Sequence, residues 1–444
     1  MNLAVDSFID SSSESARYGY DLCGRLLCMT RFGSMFPQFS QRRRTLAFAS
    51  VNHVWSDLFY AMLIPLLPLM KEDPDLNLSF TQAGLIRTVH SGASAVLQIP
   101  FGFLSEFTGE FWLVIGGNIW VAGGMVGIAL ASNFPFLFGI TLIGGLGGGT
   151  QHPLASGMVS RAYETGSRST AVGTVNFAGD LGKMAAPILA WLIARPFGWR
   201  ATCKFVGIAG MAFIPLLALF RKTILENPSS SESIVTEFQE SESVRMAGFI
   251  NLSVLGFLDS AVRAAALTFL PFLMLEKGMG VSQIFAMLFL LLAGGAVGKL
   301  VLGWLDERYG PVTLIWATKG LTALLLLASI PAPNFAMVPL LIALGIGLNG
   351  TSSVLYANVP VFVPPKLRGR SYGFFYTTNE AGAAIAPALY GILADIVSIR
   401  TTIFAMGLIT SIMLPTSLLV RRHLVNPGQT DSKRLMSMNR RDSV

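Results

Sequence analysis

Apolar residues along this chain run in long blocks, not at the spacing of a single helical face. Twelve blocks stand out, at about 45–70, 80–104, 111–132, 134–160, 168–194, 199–220, 245–276, 281–305, 311–329, 333–363, 369–396 and 400–420. Each reaches the roughly 18 residues that cross a bilayer's hydrocarbon at about 1.5 Å per residue. Hydrocarbon offers no water to unpaired peptide groups, so a block that spans it must be helical. The pattern therefore predicts an all-α membrane protein with twelve transmembrane helices.

Polar stretches divide the blocks into a tail (1–44), a six-helix bundle (45–222), a central loop (223–244), a second six-helix bundle (245–422) and a C-terminal tail (423–444). The central loop is rich in serine and acid, with Ser229, Ser230, Ser231, Glu232, Glu237, Glu240 and Glu242, and cannot build a core. An offset of 200 residues superposes Arg168 on Arg368, Gly173 on Gly373, Ala186 and Pro187 on Ala386 and Pro387, and Arg200 on Arg400. An offset of 201 aligns Gly102 with Gly303 and Gly149 with Gly350. The two bundles thus read as pseudo-symmetric copies of one unit.

Composition sharpens this picture: 52% of residues are hydrophobic and 13% charged, against about 25% charged in soluble domains. Mean hydropathy is +0.58. The net charge of +7 comes from residues that punctuate the apolar blocks, so no nucleic-acid partner is implied. Basic residues favour the connections on the side of the two termini, with Arg42, Arg43 and Arg44 directly before the first block. That bias places both termini in the cytoplasm and the chain in the inner (plasma) membrane. The connection holding Glu106 and Glu110 is an acidic exception. Residues 1–44 lack the apolar region of a cleavable signal. Cys23, Cys28 and Cys203 are too few for a disulfide framework or a zinc site. We expect a monomer with no metal and no cofactor. Without a Gly-x-x-x-x-Gly-Lys-Ser/Thr loop the chain has no ATPase of its own, and without a nucleophile elbow or metal-spaced histidines it does not read as an enzyme.

Duplicated halves related along the membrane normal, with a site near the midplane, are an architecture of major facilitator transporters. Two loops strengthen that resemblance. The stretches GFLSEFTGE from Gly102 and GWLDERYG from Gly303 resemble the family's Gly-x-Leu-x-Asp-Arg-x-Gly-Arg motif. The resemblance implies a gating loop at Gly303, Glu307, Arg308 and Gly310. A first copy at Gly102, Glu106 and Gly109 departs from it, with Phe107 and Glu110 where basic residues stand in the family. Gly182, Ala186 and Pro187 resemble the antiporter motif Gly-x-x-x-Gly-Pro, and Gly382, Ala386 and Pro387 repeat it. Close helix packing with a proline bend is the alternative reading of these residues. His53 with Ser56 and Asp57, Leu97 and Gln98 before Gly102, and His152 and Pro153 with Ser156 resemble the fosmidomycin-resistance branch. That branch implies export of small molecules, an anionic phosphonate among them, at the expense of proton entry.

Ionisable groups inside a span cost about 2.5 to 3.5 kcal/mol each on insertion scales, so each marks a candidate site. His53 and Asp57 share a helix face at i, i+4, where acid and imidazole can exchange a proton or simply fix the packing. Asp180 and Glu380 stand 200 residues apart, at equivalent places in the halves. We assign Asp57, His53, Asp180 and Glu380 to proton coupling. Arg87, His90, His152, Asp259, Arg263 and Asn379 are assigned to substrate binding, with Arg87 open to an interfacial reading and Asp180–Lys183 and Asp259–Arg263 open to a reading as self-neutralised pairs. Gly145 and Gly149 form a membrane contact surface, not a nucleotide loop, because no strand precedes them. The expected function is proton-coupled export of a small anionic organic molecule by alternating access. Uptake of an organic acid, sugar phosphate, oxyanion or metal chelate, and a non-transporting scaffold or sensor, are the alternatives.

Overall fold

The computed structural model describes residues 41–163, 168–221, 246–363 and 368–424. Among them the chain forms twelve helical rods and no strand. The first half comprises α1 (Gln41–Lys71), α2 (Phe80–Thr108), α3 (Glu110–Ile128), α4, α5 and α6 (Arg195–Ala218). Helix α4 starts as Phe134–Leu146, tightens into a 3-10 turn at Gly147–Thr150 and resumes as Gln151–Ala162. Helix α5 (Arg168–Leu189) continues through a π-helical turn at Ala190–Ala194. The second half comprises α7 (Met246–Glu276), α8 (Val281–Tyr309), α9 (Pro311–Ser329), α10 (Met337–Phe362), α11 (Arg368–Ile396) and α12 (Ile399–Leu424).

These rods follow the twelve predicted blocks, with local differences that have physical causes. Helix α1 begins at Gln41, so Arg42, Arg43 and Arg44 belong to its first turn instead of the tail, the first two of them exposed. The third helix ends at Ile128, because the amides of Leu130 and Ala131 tighten onto the carbonyls of Gly127 and Ile128. The fourth is not one continuous α-helix, since three successive glycines at 147–149 give the backbone little reason to keep its wider turn. The fifth and sixth run together until Gly198, whose φ of 81° breaks the path. Gly109 and Gly310, with φ of 79° and 74°, each turn the chain in a single residue between a half's second and third helices. The rest of the two tails and of the central loop lies outside the described residues.

Within the first half α1 packs on α5, α2 on α4 and α3 on α6, and the second half repeats this with α7 on α11, α8 on α10 and α9 on α12. Missing side chains make the approaches possible. A Cβ on Gly182 would lie 2.1 Å from the Val54 carbonyl oxygen, and one on Gly382 would lie 2.3 Å from that of Phe257. Gly145 and Gly149 do the same for α4 against the α2 backbone at His90 and Ser94. Pro187 and Pro387 lie inside α5 and α11. The halves meet through α2 with α11 and α5 with α8, and more lightly through α1 with α7. Gly84, Thr88 and Gly391 make close contacts between α2 and α11 towards the ends opposite the termini, here called the distal ends.

Among the described residues α2 and α11 are not apolar enough to qualify as spans by composition alone, and the apolar part of α4, Phe134–Thr150, is shorter than a span. They carry His90, His152 and Glu380, and their polarity faces the chemistry described next.

Candidate functional site

Two charge clusters lie inside the bundles. In the first, Asp57 on α1 is 1% exposed and has three cationic or titratable neighbours. Lys183 Nζ on α5 is 2.9 Å from its carboxylate, His152 Nε2 on α4 is 3.6 Å away, and His53 Nε2, one turn earlier on α1, is 3.7 Å away. The imidazoles of His53 and His152 meet edge to face with centroids 4.8 Å apart. Gly179 permits this approach, since a Cβ there would fall 2.2 Å from Asp57 Oδ2 and 2.3 Å from His53 Cδ2.

Lys183 also reaches Asp180 at 3.3 Å, and Asp180 accepts from Lys299 Nζ on α8 at 2.7 and 2.8 Å. Charge thus alternates without a gap from Asp57 through Lys183 and Asp180 to Lys299, and the last link joins the two halves. His152 and Lys183 are 33% and 29% exposed, so the chain is reachable from the interior space. The ligand atoms of His53, Asp57 and His152 lie within 4.8 Å of one another, a spacing that could hold a metal ion. The ammonium of Lys183 on the same carboxylate makes that place a poor one for a dication, because like charges at such range repel strongly in a low-dielectric interior.

The second cluster is closed. Asp259 on α7 forms a short ion pair with Lys319 on α9, both nearly sealed from solvent, and Arg263 reaches the same carboxylate at 3.4 Å. Arg263 also donates to Ser260 Oγ at 2.7 Å, and remains 22% exposed. Around it stand Tyr60, Tyr356 and Glu380, close enough to interact electrostatically. Tyr356 accepts from Asn379 Nδ2 at 3.1 Å and packs on Tyr376 with ring centroids 4.6 Å apart. Glu380 has no ion-pair partner within 4 Å among the described residues. The 201-residue offset explains this, because Lys299, which holds Asp180, corresponds to the neutral Gln98 on α2.

Arg87 is not interfacial: it is 1% exposed, donates to the Tyr60 carbonyl at 3.0 Å and lies 5.0 Å from that ring's centre. His90 also packs on Tyr60, with ring centroids 5.5 Å apart. Ser56, Tyr60, His90, Ser94, Gln151 and His152 line a small cavity inside the first half.

The expected gating loops are only partly visible. Glu106, Gly303 and Glu307 sit on helical backbone, but their side chains lie outside the described residues. Gly102 has open space around it, and Arg308 folds over Tyr309. Asp306, the neighbour of the expected acid, accepts from Asn358 on α10 at 3.2 Å.

Spacing along the chain pairs His53 with Asp57 and leaves His152 apart, and the fold joins all three. Sequence reasoning missed Lys299, Lys319, Tyr60 and Gly179 as parts of the site. Lysines deep within apolar blocks are a signal in themselves, since a buried ammonium needs a partner.

With buried charge placed inside duplicated six-helix halves, comparison decides the family. The model described as Major Facilitator Superfamily matches residues 50–252 and 252–442. The chain belongs to the major facilitator superfamily. It is 29% identical to the gentisate transporter of Corynebacterium glutamicum over 71% of this chain and 74% of the relative. It is 24% identical to the fosmidomycin resistance protein of Escherichia coli over 79% and 86% of the two chains. For the 3-(3-hydroxy-phenyl)propionate transporter of Escherichia coli the identity is 26%, over 65% and 72%. A crystal structure of a bacterial homologue of the human lysosomal transporter Spinster, inward-facing and occupied, shares the fold with a TM-score of 0.72 at 15% identity, covering 87% and 98%. As a superfamily member the chain is a multi-pass membrane protein that transports small organic molecules.

Proposed function

We propose that this major facilitator protein moves a small organic anion by alternating access coupled to protons, with export in exchange for protons as the expected direction. The carrying observation is the chain of charges from Asp57 to Lys299. A proton on Asp57 or Asp180 removes one negative charge from a balanced set, and the released lysine must then be satisfied elsewhere. The link most sensitive to this is Asp180 with Lys299, because it spans the two halves. Protonation would thereby change how firmly α5 holds α8, which is what coupling requires. His53 and His152 are placed to pass protons to Asp57.

For the substrate, Arg263 supplies a permanent, partly exposed positive charge beside Glu380. A substrate carboxylate would compete with Glu380 for that guanidinium. The rings of Tyr60, Tyr356 and Tyr376 nearby suit an aromatic body, in keeping with relatives named for gentisate and for 3-(3-hydroxy-phenyl)propionate. Both termini on the cytoplasmic face of the plasma membrane, a central loop joining two bundles and a monomeric state complete this reading.

The test is counterflow in proteoliposomes with gentisate as probe under an imposed pH gradient, compared with empty liposomes and with Asp57→Asn. Accumulation driven by an acidic interior supports exchange. Accumulation driven by an acidic exterior replaces export with symport. Gradient-driven flux that survives Asp57→Asn unchanged sinks the assignment of Asp57.

A further inference from the structure

The start of α2 is capped by the other half of the molecule. A helix leaves its first four N–H groups without partners inside the helix, and at α2 all four find acceptors. Asp395, near the end of α11, accepts from the amides of Phe80 and Thr81 at 2.8 and 2.7 Å. Ser79 Oγ accepts from the Gln82 amide at 3.1 Å, and the Gln82 side chain accepts from the Ser79 amide at 2.9 Å. A carboxylate is the acceptor best suited to the positive end of a helix dipole, and hydrogen bonds to an ionised group are the stronger kind. Lys71 Nζ, 4.4 Å from the Phe80 ring centre, adds positive charge to the same corner.

Among the described residues the equivalent corner of the pseudo-symmetric pair has no such device. At the start of α8 the Gln283 side chain accepts from the Gly280 amide, and the carbonyl of Gly280 accepts from Gln283 and Ile284. The residue that corresponds to Asp395 at the 200-residue offset is Arg195, which is exposed and of the wrong sign to cap a helix start.

We propose that Asp395 is a one-sided distal latch: a carboxylate of the second half that holds the α2 helix start of the first, and that must let go whenever the halves part at that end. The close packing beneath it is what the latch keeps together. Gly391 lies against Phe80 and Thr81, Gly84 lies against Pro387, and Thr88 Oγ1 accepts from the Ala388 amide at 3.2 Å. Missing side chains on both helices allow this approach, since a Cβ on Gly84 would stand 2.1 Å from the Pro387 oxygen and one on Gly391 2.5 Å from the Phe80 oxygen. The proposal rests on the alternating-access reading above, and its failure can be told apart from the failure of that reading.

The experiment is a pulsed electron–electron distance measurement in nanodiscs. Spin labels are placed at Leu130 and Phe335, exposed positions at the distal ends of opposite halves, after Cys23, Cys28 and Cys203 have been replaced. Asp395→Asn and Asp395→Ser should each raise the long-distance population about fivefold, the upper scale of losing an exposed charge at a helix start. Asp395→Glu should stay near the parent protein, and Arg195→Ala should match it. Wedge variants Gly84→Leu and Gly391→Leu serve as positive controls, because either must force α2 from α11 if the halves can move. Lengthened distances in a wedge variant with no change in both Asp395→Asn and Asp395→Ser overturn the latch alone. Unchanged distances in the wedges as well overturn rigid-body opening, and the latch with it.

Discussion

The two halves carry a carboxylate midway along their first helix, yet they surround it differently. Asp57 of the first half meets two imidazoles and a lysine shared with a second acid, while Asp259 of the second is locked to a sealed lysine and an arginine. Glycine placement is exchanged as well. Gly179 on α5 yields to groups from α1, whereas in the second half Gly256 on α7 yields to Asn379 from α11. The third helices differ in the same sense: Asn118 joins a neutral amide chain with Asn52 and Gln151, and its counterpart 201 residues on is Lys319. One half therefore sets titratable groups among shared partners. The other has a fixed pair that orients Arg263. In the function proposed above, the first half of one duplicated frame is assigned to protons and the second to an anion.

The strongest way to break this contrast is to unlock the fixed pair. Lys319→Ala leaves Asp259 buried with only the more distant Arg263, and loss of one partner of a buried pair costs about 3 to 5 kcal/mol. The melting temperature in detergent should fall accordingly, and Asp259→Asn combined with Lys319→Met should recover most of the loss. Equal melting of Lys319→Ala and the parent protein would show that the pair is not the locked element described here.

Next in size is Asp57→Asn, which keeps the shape and removes the charge. If the first half carries the protons, pH-driven accumulation should drop by about a hundredfold, the lower range of what a positioned acid–base group contributes. Substrate exchange without a gradient should be less affected. A smaller and sharper version is Gly179→Ala, whose methyl group must displace Asp57 or His53 from contact distance. Coupled flux should fall while thermal stability changes by only about 1 to 3 kcal/mol, the usual cost of overpacking. The matched change Gly256→Ala should disturb Asn379 and raise the apparent KM, leaving the pH dependence of transport in place.

Much of this frame was legible in the linear pattern. Blocks of hydrophobicity mark the rods because lipid demands internally bonded backbone, and the 200-residue offset exposes the duplication because glycines and prolines at helix contacts repeat with it. Contact residues such as Gly182 and Gly382 were readable for the same reason. The site was legible by residue type but not by partnership. Spacing along one helix pairs Asp57 with His53 and Asp259 with Arg263, whereas the closer partners Lys183 and Lys319 come from other rods, which no local spacing reports. Asp395 escaped notice because an acid at a helix end looks like an ordinary solvated group until the partner helix is in place.

The smallest test uses a pair that the duplication itself supplies. Arg200 and Arg400, equivalent at the start of each half's sixth helix, both clasp an acid beyond the end of the first helix or at it. Arg200 grips Asp73, which also accepts from Trp199 Nε1 at 2.8 Å, and it donates to the Ala131 carbonyl at 3.1 Å while stacking on Trp199. Among the described residues Arg400 holds only Glu276, at 2.8 Å, with both side chains about half exposed. Arg200→Ala should therefore cost about 1 to 2 kcal/mol through lost hydrogen bonds to a charged group, and Arg400→Ala less than about 1 kcal/mol, as for most exposed pairs. The acid limb separates them further. Partial burial raises the Asp73 carboxyl, but hydrogen bonds from Arg200 and Trp199 outweigh this and hold it below its ordinary value. A group depressed on folding contributes stability above its unfolded value, about 3.9 for aspartate, and loses it as the pH falls through the lower folded value. The gap in melting temperature between the parent and Arg200→Ala should thus be full at pH 6 and shrink towards pH 3. A gap independent of pH would mean that the Arg200 clasp acts by packing on Trp199 and not by charge.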